Sequence, residues 1–331
     1  MAILVTGGAG YVGMNVVEAL LERGDDVVVF DAGAQPPAIA RRLRPYRSRV
    51  RIVKASVCNA AALERAFARR AIDGVVHCAA VTAGPAREAS DPGISIDVNV
   101  RGTLNVLDAA RRHKTRRIVC ASSAAVYGES LYRLARIYED TSPVAPVTLY
   151  GVTKLAAEGV CVRLRTLWEI DVVCARLGTL IGPWERDTGV RDNFGTHSQL
   201  ARCALAGMPA VLPVHTVRRD WVYSRDVARG LLALLDVKST RHAIYNLSAG
   251  IDWGVLDWCA ALAAEYPHFS YRIAAAGETA TIGYTDRDRC LMDIGRITHD
   301  VGFHPQYEPA TAYADFLAWL KRTPDFWNAQ Q

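Results

Sequence analysis

The first half of the chain alternates short apolar runs with longer stretches of helical periodicity. The runs are rich in β-branched residues and have the length of strands buried on both faces: Ile3–Thr6, Val27–Phe30, Val50–Val53, Gly74–Cys78, Arg117–Ala121 and Val172–Ala175. Helical patterns lie between them, near residues 12–23, 60–70, 95–113 and 150–168. Because this alternation is typical of a parallel sheet with helices on both faces, it predicts an α/β fold with a doubly wound parallel sheet (Rossmann).

A different pattern begins after Gly182-Pro183-Trp184. Helical stretches lie near residues 195–206, 226–236, 253–264 and 309–322. Short apolar runs interrupt them near 210–213, 244–247 and 270–273. This mixture predicts a smaller C-terminal α/β substrate lobe over the carboxyl ends of the sheet, where ligands bind in such folds. We place the Rossmann domain at residues 1–180 and the lobe at 181–331, and we expect segments of the lobe to cross back.

The composition is that of an ordinary globular protein. Of 331 residues, 50% are hydrophobic and 22% are charged, which excludes a disordered, coiled-coil or collagen-like chain. No window holds eighteen uninterrupted apolar residues, so we expect no membrane span. A strand-like run begins at Ala2 and leaves no room for a signal peptide, so we expect a cytoplasmic protein.

Neither the charges nor the cysteines indicate a nucleic-acid or metal site. The net charge of +5 is spread along the chain, and the densest basic clusters lack interleaved aromatic residues, so we expect no nucleic-acid partner. The eight cysteines form no CxxC pair and show no zinc-type spacing with histidine. We interpret them as small thiols in a reducing compartment and expect no metal.

A glycine-rich segment follows the first predicted strand and begins a helix. Gly7, Gly10 and Gly13 form G-x-x-G-x-x-G, a spacing that lets the backbone turn tightly and approach a pyrophosphate at the helix N-terminus. Asp31 ends the second strand, eighteen residues beyond Gly13. A carboxylate at that place accepts hydrogen bonds from ribose hydroxyls and repels a 2′-phosphate. The pair of features predicts NAD rather than NADP.

Two further groups of residues suggest acid–base chemistry. Tyr150 and Lys154 lie four residues apart, on one face of a predicted helix. A phenol is a poor base near its ordinary pKa of about 10, but a close ammonium group stabilises the phenolate. Ser122 and Ser123 end a predicted strand, where a hydroxyl either contacts a substrate oxygen or merely caps the strand end.

Several motifs, taken in their order along the chain, together resemble those of one family. They are TGGAGYVG at residues 6–13, Asp31, HCAA at 77–80, Asn99 with Gly102-Thr103, SSAAVYG at 122–128 and YGVTK at 150–154. Later segments extend the likeness over nearly the whole chain: Arg219–Tyr223, Asp226–Ala228 and Tyr245–Leu247. The chain resembles an extended short-chain dehydrogenase/reductase of the NAD-dependent nucleotide-sugar epimerase/dehydratase family, and within that family it resembles galactose 4-epimerases.

The resemblance implies an NAD site and a catalytic group. The implied cofactor contacts are Gly7, Gly10, Tyr11, Val12, Gly13, Asp31, Ser56, Val57, Ala79, Ala80, Val81, Asn99, Tyr150, Lys154 and Leu177. Tyr150 is the implied base, Lys154 its partner and Ser123 the hydroxyl beside the sugar. The implied substrate contacts are Thr82, Ser122, Ser123, Thr179, Arg219 and Arg287. The family also implies a homodimer through the helices near 95–113 and 150–168, where Leu104, Leu107, Leu155 and Val162 supply either dimer contacts or internal packing.

Departures from the family pattern bear on the reaction. Ala124-Ala125 follows Ser123 where the dehydratases of the family carry an Asp-Glu pair, which argues against dehydration. Ser56 and Thr179 stand where an acid and an asparagine are usual. We predict 4-epimerisation of a nucleotide sugar through a transient keto intermediate. The alternatives are an NAD-dependent dehydrogenase of a free sugar, sugar acid or other polyol, and a non-catalytic protein that senses NAD.

Overall fold

A computed structural model of the chain describes residues 1–285 and 287–327. Asp286 and residues 328–331, which the predicted lobe includes, lie outside the described residues. The strands are β1 (Ala2–Thr6), β2 (Asp26–Asp31), β3 (Val50–Lys54), β4 (Gly74–His77), β5 (Arg117–Ser123), β6 (Arg136–Ile137), β7 (Val172–Leu177), β8 (Thr179–Ile181), β9 (Ala210–Leu212), β10 (Arg218–Arg219), β11 (Trp221–Tyr223), β12 (Ile244–Leu247), β13 (Trp253–Gly254), β14 (Tyr271–Ile273) and β15 (Leu291–Met292).

The helices follow the strands of the first half in regular alternation and dominate the second half. They are α1 (Tyr11–Arg23), α2 (Pro37–Leu43), α3 (Ala60–Ala68), α4 (Pro85–Ser90), α5 (Pro92–Ile96), α6 (Gly102–Arg112), α7 (Ser130–Arg133), α8 (Leu149–Leu167), α9 (Thr196–Leu205), α10 (Ser224–Asp236), α11 (Val255–Glu265), α12 (Gly295–Val301) and α13 (Pro309–Arg322). A π-helical turn, Asp97–Arg101, joins α5 to α6.

Seven strands of the described residues form one parallel sheet in the order β12-β7-β5-β4-β1-β2-β3. The chain winds outward from β1 in one direction through β2 and β3, and in the other through β4, β5 and β7. This reversal at β1 and β4 leaves a crevice at the carboxyl ends of the strands, which is the ligand site of doubly wound folds. The predicted α/β fold is confirmed.

Alternate residues of each strand point to opposite sides of the sheet, and apolar side chains are buried on both of these faces. On one face, Ile3 and Val29 belong to a large apolar cluster that extends into the C-terminal lobe. On the other face, Leu4, Val28 and Phe30 pack with the residues of α3 and α6. Both clusters therefore fix the strand ends that carry the site.

One predicted strand of the lobe belongs to the central sheet. The run near 244–247 was expected among the short strands of the second half, but it forms β12 and pairs with β7 in parallel, with Ile244 opposite Cys174 and Leu247 opposite Leu177. Tyr245 and Leu247 are fully buried there, so the sheet gains more apolar contact than a surface strand could offer. The chain thus crosses back to the first half, and the boundary at residue 180 stays a prediction.

The cysteines and helices bear on the other sequence expectations. All eight cysteines are free thiols, and Cys120 and Cys174 are buried while Cys78 is half-buried. Within residues 1–285 and 287–327, no group of three His, Cys, Asp or Glu side chains is arranged to hold a metal ion. No helix of the same residues has the length and apolar character needed to cross a membrane.

Candidate active site

The glycine-rich loop is packed too tightly for any side chain at two of its positions. Gly7 has φ of +62°, and a Cβ there would lie 2.7 Å from the backbone of Ala79 at the end of β4. A Cβ on Gly13 would lie 2.0 Å from the carbonyl oxygen of Gly7. Gly10 caps α1, and its N–H donates to the Gly7 carbonyl. The loop therefore presents bare backbone and the free N–H groups of a helix N-terminus to the crevice.

Asp31 closes this cradle on the side of β2. Its Oδ2 accepts from the N–H of Ala9 at 3.0 Å, and its Oδ1 accepts from the N–H of Gly33 at 2.8 Å. Each carboxylate oxygen has a second lone pair that stays open to a ligand hydroxyl. The residue thus holds the glycine-rich loop in place and still faces the crevice, half-exposed.

A buried hydrogen-bond chain connects β1 with the helix behind β4. Thr6 Oγ1 lies 2.6 Å from Nδ1 of His77, whose Nε2 lies 3.0 Å from Oγ1 of Thr103. Because the Thr103 hydroxyl donates to the carbonyl of Asn99, His77 must donate through Nε2 and accept at Nδ1. Burial, with the nearby ammonium of Lys154, lowers the pKa of His77 to about 3, so the ring stays neutral.

Asn99, inside the π-helical turn, ties the end of β4 to the catalytic helix. Its Oδ1 accepts from the N–H of Val81 at 2.8 Å, and its Nδ2 donates to the Val81 carbonyl and to the hydroxyl of Thr153. That hydroxyl donates in turn to the carbonyl of Tyr150. All donors of the buried amide are satisfied by protein, so the side chain positions the cofactor bed and α8 relative to each other.

Tyr150 and Lys154 lie on the face of α8 that is turned to the end of β5. Thr148 caps this helix by accepting from the N–H of Gly151. The ammonium of Lys154 is buried, donates to the carbonyl of Ala121 at 2.8 Å and lies 5.9 Å from the Tyr150 ring centroid. Tyr150 itself remains half-exposed in the crevice.

The two serines at the end of β5 face opposite ways. Ser123 is half-exposed, and its Oγ accepts from the N–H of Ala125 at 3.1 Å, which leaves its own proton for a ligand. Ser122 is buried, and its hydroxyl donates to Oε1 of Glu158 at 2.6 Å. Because successive strand residues alternate in direction, Ser122 points away from the half-exposed side of Ser123, and the substrate contact expected of Ser122 stays a prediction.

The remaining predicted cofactor residues surround the crevice at different depths. Ser56 is half-buried, and its Oγ accepts from the N–H of Cys58 at 3.1 Å. The side chains of Val57, Val81 and Leu177 are buried in the protein interior, whereas Ala79 and Ala80 are half-exposed at the end of β4. Tyr11 and Val12 begin α1 directly after the glycine-rich loop.

The loop of residues 182–195 is held against the cradle, and we call it the covering loop. The N–H of Thr82 donates to the carbonyl of Val190, and the N–H of Asp192 donates to the carbonyl of Thr82. The guanidinium of Arg191 lies 5.5 Å from the ring centroid of Tyr11 and forms an ion pair with buried Glu185. Thr82, predicted to contact substrate, therefore stands where the covering loop meets the end of β4.

The predicted substrate arginine Arg219 is buried and forms no ion pair with the residues that the structure describes. It is 5% exposed, and no carboxylate of the described residues lies within salt-bridge distance. Its Nη2 donates to the carbonyl of Thr285 at 2.6 Å, while its Nε has no partner. Burial, with the charge of nearby Arg289, lowers the pKa of Arg219 to about 10. An uncompensated guanidinium of this kind favours an anionic ligand.

Other polar groups gather beside Arg219. Arg289 donates to the hydroxyls of Tyr132 and Thr179, at 3.1 and 3.3 Å. Arg287 is exposed, forms an ion pair with Glu129 and lies 4.0 Å over the Tyr132 ring. The structure thus brings Thr179 and Arg289 together, while Arg287 already has a carboxylate partner.

The comparisons with known proteins agree with this geometry. The model of the NAD dependent epimerase/dehydratase family matches residues 3–248. The UDP-glucose 4-epimerase of Dictyostelium discoideum is 28% identical, covering 90% of this chain and 92% of that one. UDP-glucose 4-epimerase 2 of Oryza sativa subsp. japonica is 31% identical, covering 77% of this chain and 67% of that one.

The structure of UDP-glucuronic acid 4-epimerase from Bacillus cereus, in complex with UDP-glucuronic acid and NAD, superimposes with a TM-score of 0.81 at 24% identity. The match covers 97% of this chain and 99% of that one. The chain belongs to the NAD-dependent epimerase/dehydratase family. The predicted resemblance is therefore confirmed, and this member of the family is an NAD-dependent enzyme of the extended short-chain dehydrogenase/reductase type.

The residues of this family member fit the cofactor. The glycine-rich loop forms a cradle that a Cβ would fill, and α1 supplies N–H groups at the place of a pyrophosphate. Asp31 offers open carboxylate lone pairs beside that loop. The cofactor prediction of NAD is confirmed by the family, and the individual contacts stay predictions.

The sequence interpretation did not identify three sets of side chains that organise the site. Glu158 and Arg176 form a buried ion pair under Ser122, and a signal existed because Glu158 follows Lys154 by four residues on the same helix face. Arg186 reaches the glycine-rich loop from the covering loop, a path that sequence periodicity does not reveal. The chain Thr6–His77–Thr103 joins residues far apart in sequence, and no local signal marks it.

Proposed function

We propose that this enzyme interconverts the C4 epimers of a nucleotide sugar through a transient 4-keto sugar. The observation that carries this choice is the buried Arg219, which has no carboxylate partner among residues 1–285 and 287–327. A neutral free sugar would leave that charge uncompensated, whereas the diphosphate of a nucleotide sugar supplies the missing anion.

The diphosphate end of the substrate is assigned to the lobe. Arg219 offers a free Nε, and Arg289 lies close enough to lower its pKa by repulsion. Two guanidinium groups that repel each other both gain when an anion enters between them. Thr179 adds a hydroxyl beside Arg289, in place of the asparagine that is usual in the family.

The sugar end is assigned to the strand β5 and the helix α8. Tyr150 removes the proton from the C4 hydroxyl, and Ser123 donates a hydrogen bond to the same oxygen. Lys154 is fixed by the Ala121 carbonyl, which holds its ammonium group near the phenol. The glycine-rich loop and Asp31 would hold NAD, which would supply the hydride acceptor that the reaction at C4 needs.

Epimerisation requires that the keto sugar stays bound and turns its other face. In the return step Tyr150 gives its proton back to the C4 oxygen as the hydride re-enters on the opposite face, so no proton or electron is gained or lost overall. Ala124 and Ala125 follow Ser123 and carry no acid or base at the place where the dehydratases of the family have an Asp-Glu pair, which argues against elimination of water.

The sugar is assigned to the UDP-hexoses and UDP-hexuronic acids. The relatives named above act on UDP-glucose or UDP-glucuronic acid, and this supports the same class here. Free thiols on all eight cysteines suit a reducing compartment, so we place the reaction in the cytoplasm.

A second copy of the chain is proposed to cover the outer faces of α6 and α8. Leu104 on α6 and Val162 on α8 are 40% and 39% exposed, and Val152 on α8 is also exposed. Leu107 is fully buried and Leu155 is half-buried against the apolar cluster that contains Tyr127, so we assign these two to internal packing. An apolar face of two adjacent helices is suited to an antiparallel copy of itself.

The test is a panel of UDP-hexoses, UDP-glucuronic acid and the matching free sugars, followed by proton NMR and by absorbance at 340 nm. We expect the C4 epimer of one nucleotide sugar to appear without net NADH. Tyr150→Phe should lower kcat by about 10²–10⁴-fold and leave NAD binding intact. Steady NADH formation from a free sugar or polyol would instead identify a dehydrogenase, and NAD binding without turnover would identify a sensor.

A further inference from the structure

Arg186 is a second buried arginine that lacks an ion pair within the described part of the chain, and it lies at the cofactor cradle rather than in the lobe. It is 8% exposed, and no carboxylate of the described residues forms a salt bridge with it. Its Nη2 donates to the carbonyl of Ala9 in the glycine-rich loop at 3.2 Å, and its Nη1 donates to the carbonyl of Asp187. Its Nε has no partner.

The nearest carboxylates do not neutralise this guanidinium. Asp31 and Asp187 act on Arg186 through space only, and burial lowers the pKa of Arg186 in spite of them. A charge removed from water without a close counter-ion is costly, so a permanent arginine at this place indicates an anion that arrives with a ligand.

The covering loop holds Arg186 in position in advance. Trp184 is buried with φ of +74°, and its Nε1 donates to Glu18 of α1. Glu185 is buried, accepts from Arg191 and from the N–H of Gly195, and its carbonyl accepts from Trp327. A non-glycine residue in the left-handed region persists only where the surrounding contacts enforce it. The loop is therefore anchored on both sides of Arg186.

The geometry points to the pyrophosphate of NAD as the missing anion, and we propose that Arg186 pairs with it. The Ala9 carbonyl that Arg186 contacts lies one residue before Gly10, the cap of α1, whose N-terminal N–H groups would hold the pyrophosphate. The pyrophosphate is the anionic part of NAD, and Asp31 opposes the 2′-phosphate that NADP would add. Arg186 makes the covering loop a part of the cofactor site, which the glycine-rich motif does not predict.

The proposal rests on NAD as cofactor and is independent of which sugar is the substrate. Calorimetric titration of the purified enzyme with NAD, ADP-ribose and NADP measures it directly. Arg186→Gln should raise the dissociation constants of NAD and ADP-ribose by about 10–100-fold, the usual effect of losing a charge-assisted hydrogen bond. Arg186→Lys should raise them by less, because it keeps the charge without the planar fork.

Arg165→Gln is the matched control. Arg165 also donates to backbone carbonyls, those of Val172, Thr240 and His242, but lies away from the cradle. It should lower the unfolding temperature and leave the dissociation constant of NAD unchanged. Unchanged NAD binding by Arg186→Gln would overturn the proposal, since a mere clamp of the loop would alter stability alone.

Further outcomes separate this proposal from the rest of the account. If Arg186→Gln does not fold, the lysine variant decides: a lower unfolding temperature with wild-type affinity for NAD overturns the pairing. Tighter binding of NADP than of NAD, lost in Arg186→Gln, would assign the arginine to a 2′-phosphate and also overturn it. If the wild type binds no dinucleotide, the cofactor assignment itself fails, whereas binding of NAD without epimerisation leaves the Arg186 proposal intact.

Discussion

Glu158 and Arg176 form an ion pair inside the protein, directly behind the catalytic helix face. Nη2 of Arg176 lies 2.8 Å from Oε2 of Glu158, and Nε of Arg176 lies 3.0 Å from Oε1. Both side chains are buried, and Ser122 donates to the same carboxylate. The pair joins α8 to β7 and β5, so it fixes the rotation of α8 that turns Tyr150 and Lys154 to the crevice.

Glu158→Gln should therefore destabilise the enzyme and disturb the site. Removing one partner of a buried pair leaves an uncompensated charge, which costs about 3–5 kcal/mol of the free energy of unfolding. The double variant Glu158→Gln/Arg176→Met should recover part of this loss. Chemical denaturation measures both, with Glu64→Gln on the solvent side of α3 as the control that changes stability by less than about 1 kcal/mol. Equal stability of Glu158→Gln and the wild type would refute the role.

Arg219→Gln should weaken substrate binding and spare the cofactor. We expect KM for the nucleotide sugar to rise by about 10–100-fold, because a charge-assisted contact to the diphosphate is lost. The neighbouring Arg218→Gln is the control, since Arg218 is exposed and pairs with Asp252. Steady-state kinetics and NAD titration check the pair of variants. An unchanged KM in Arg219→Gln would place the diphosphate elsewhere.

Val162→Glu should separate the dimer. A charge on the exposed face of α8 would be desolvated against the second copy, which is unfavourable without a partner. Light scattering after size exclusion should give about twice 36.1 kDa for the wild type and 36.1 kDa for the variant. Ile273→Glu, at an exposed apolar position on β14, should remain a dimer. A monomeric wild type, or an unaffected Val162→Glu dimer, contradicts the predicted interface.

His197 should make the protein sensitive to acid. Its ring packs edge-on against Trp221 and stacks near Trp258, and burial, with the charge of Arg219, lowers its pKa to about 3. An unfolded histidine binds a proton near pH 6.5, so between pH 6.5 and 3 the unfolded chain holds one proton more. The free energy of unfolding must then fall as the pH falls through this window.

His197→Phe should remove this contribution. The slope of the unfolding free energy against pH should become shallower by about 1.4 kcal/mol per pH unit, the value for one proton. Denaturation series between pH 6.5 and 4.5 measure the slope, with exposed His268→Phe as the control that keeps it. A wild-type slope in His197→Phe would mean that another group takes up the proton.

Much of the fold was predictable because the sheet is buried on both faces. Runs such as Val27–Phe30 have no polar interruption, and such a run can be recognised from neighbouring residues in the sequence alone. The short strands β8 and β11 are different, since each holds three residues and exists only through its distant partner. β12 joined the central sheet for the same reason, because its place is decided by contacts across the chain.

The site residues also differ in whether local sequence or long-range contacts determine their positions. The spacing of Gly7 and Gly13, and that of Tyr150 and Lys154, is set by one loop and one helix, so the sequence reveals it. Strand alternation could have separated Ser122 from Ser123, had the register of β5 been known. The position of Arg186 depends on the course of a fourteen-residue loop, from 182 to 195. Only the folded chain shows that Arg186 contacts the glycine-rich loop.

The fate of the hydrogen at C4 of the sugar tests the central claim most directly. The nucleotide sugar that the panel identifies is supplied with deuterium at C4, and both epimers are examined by NMR after equilibration in ordinary water. The account predicts that each epimer keeps its deuterium at C4, because the hydride leaves and returns within one bound pair. Protium at C4 of the product, or accumulation of deuterated NADH in place of an epimer, would contradict it.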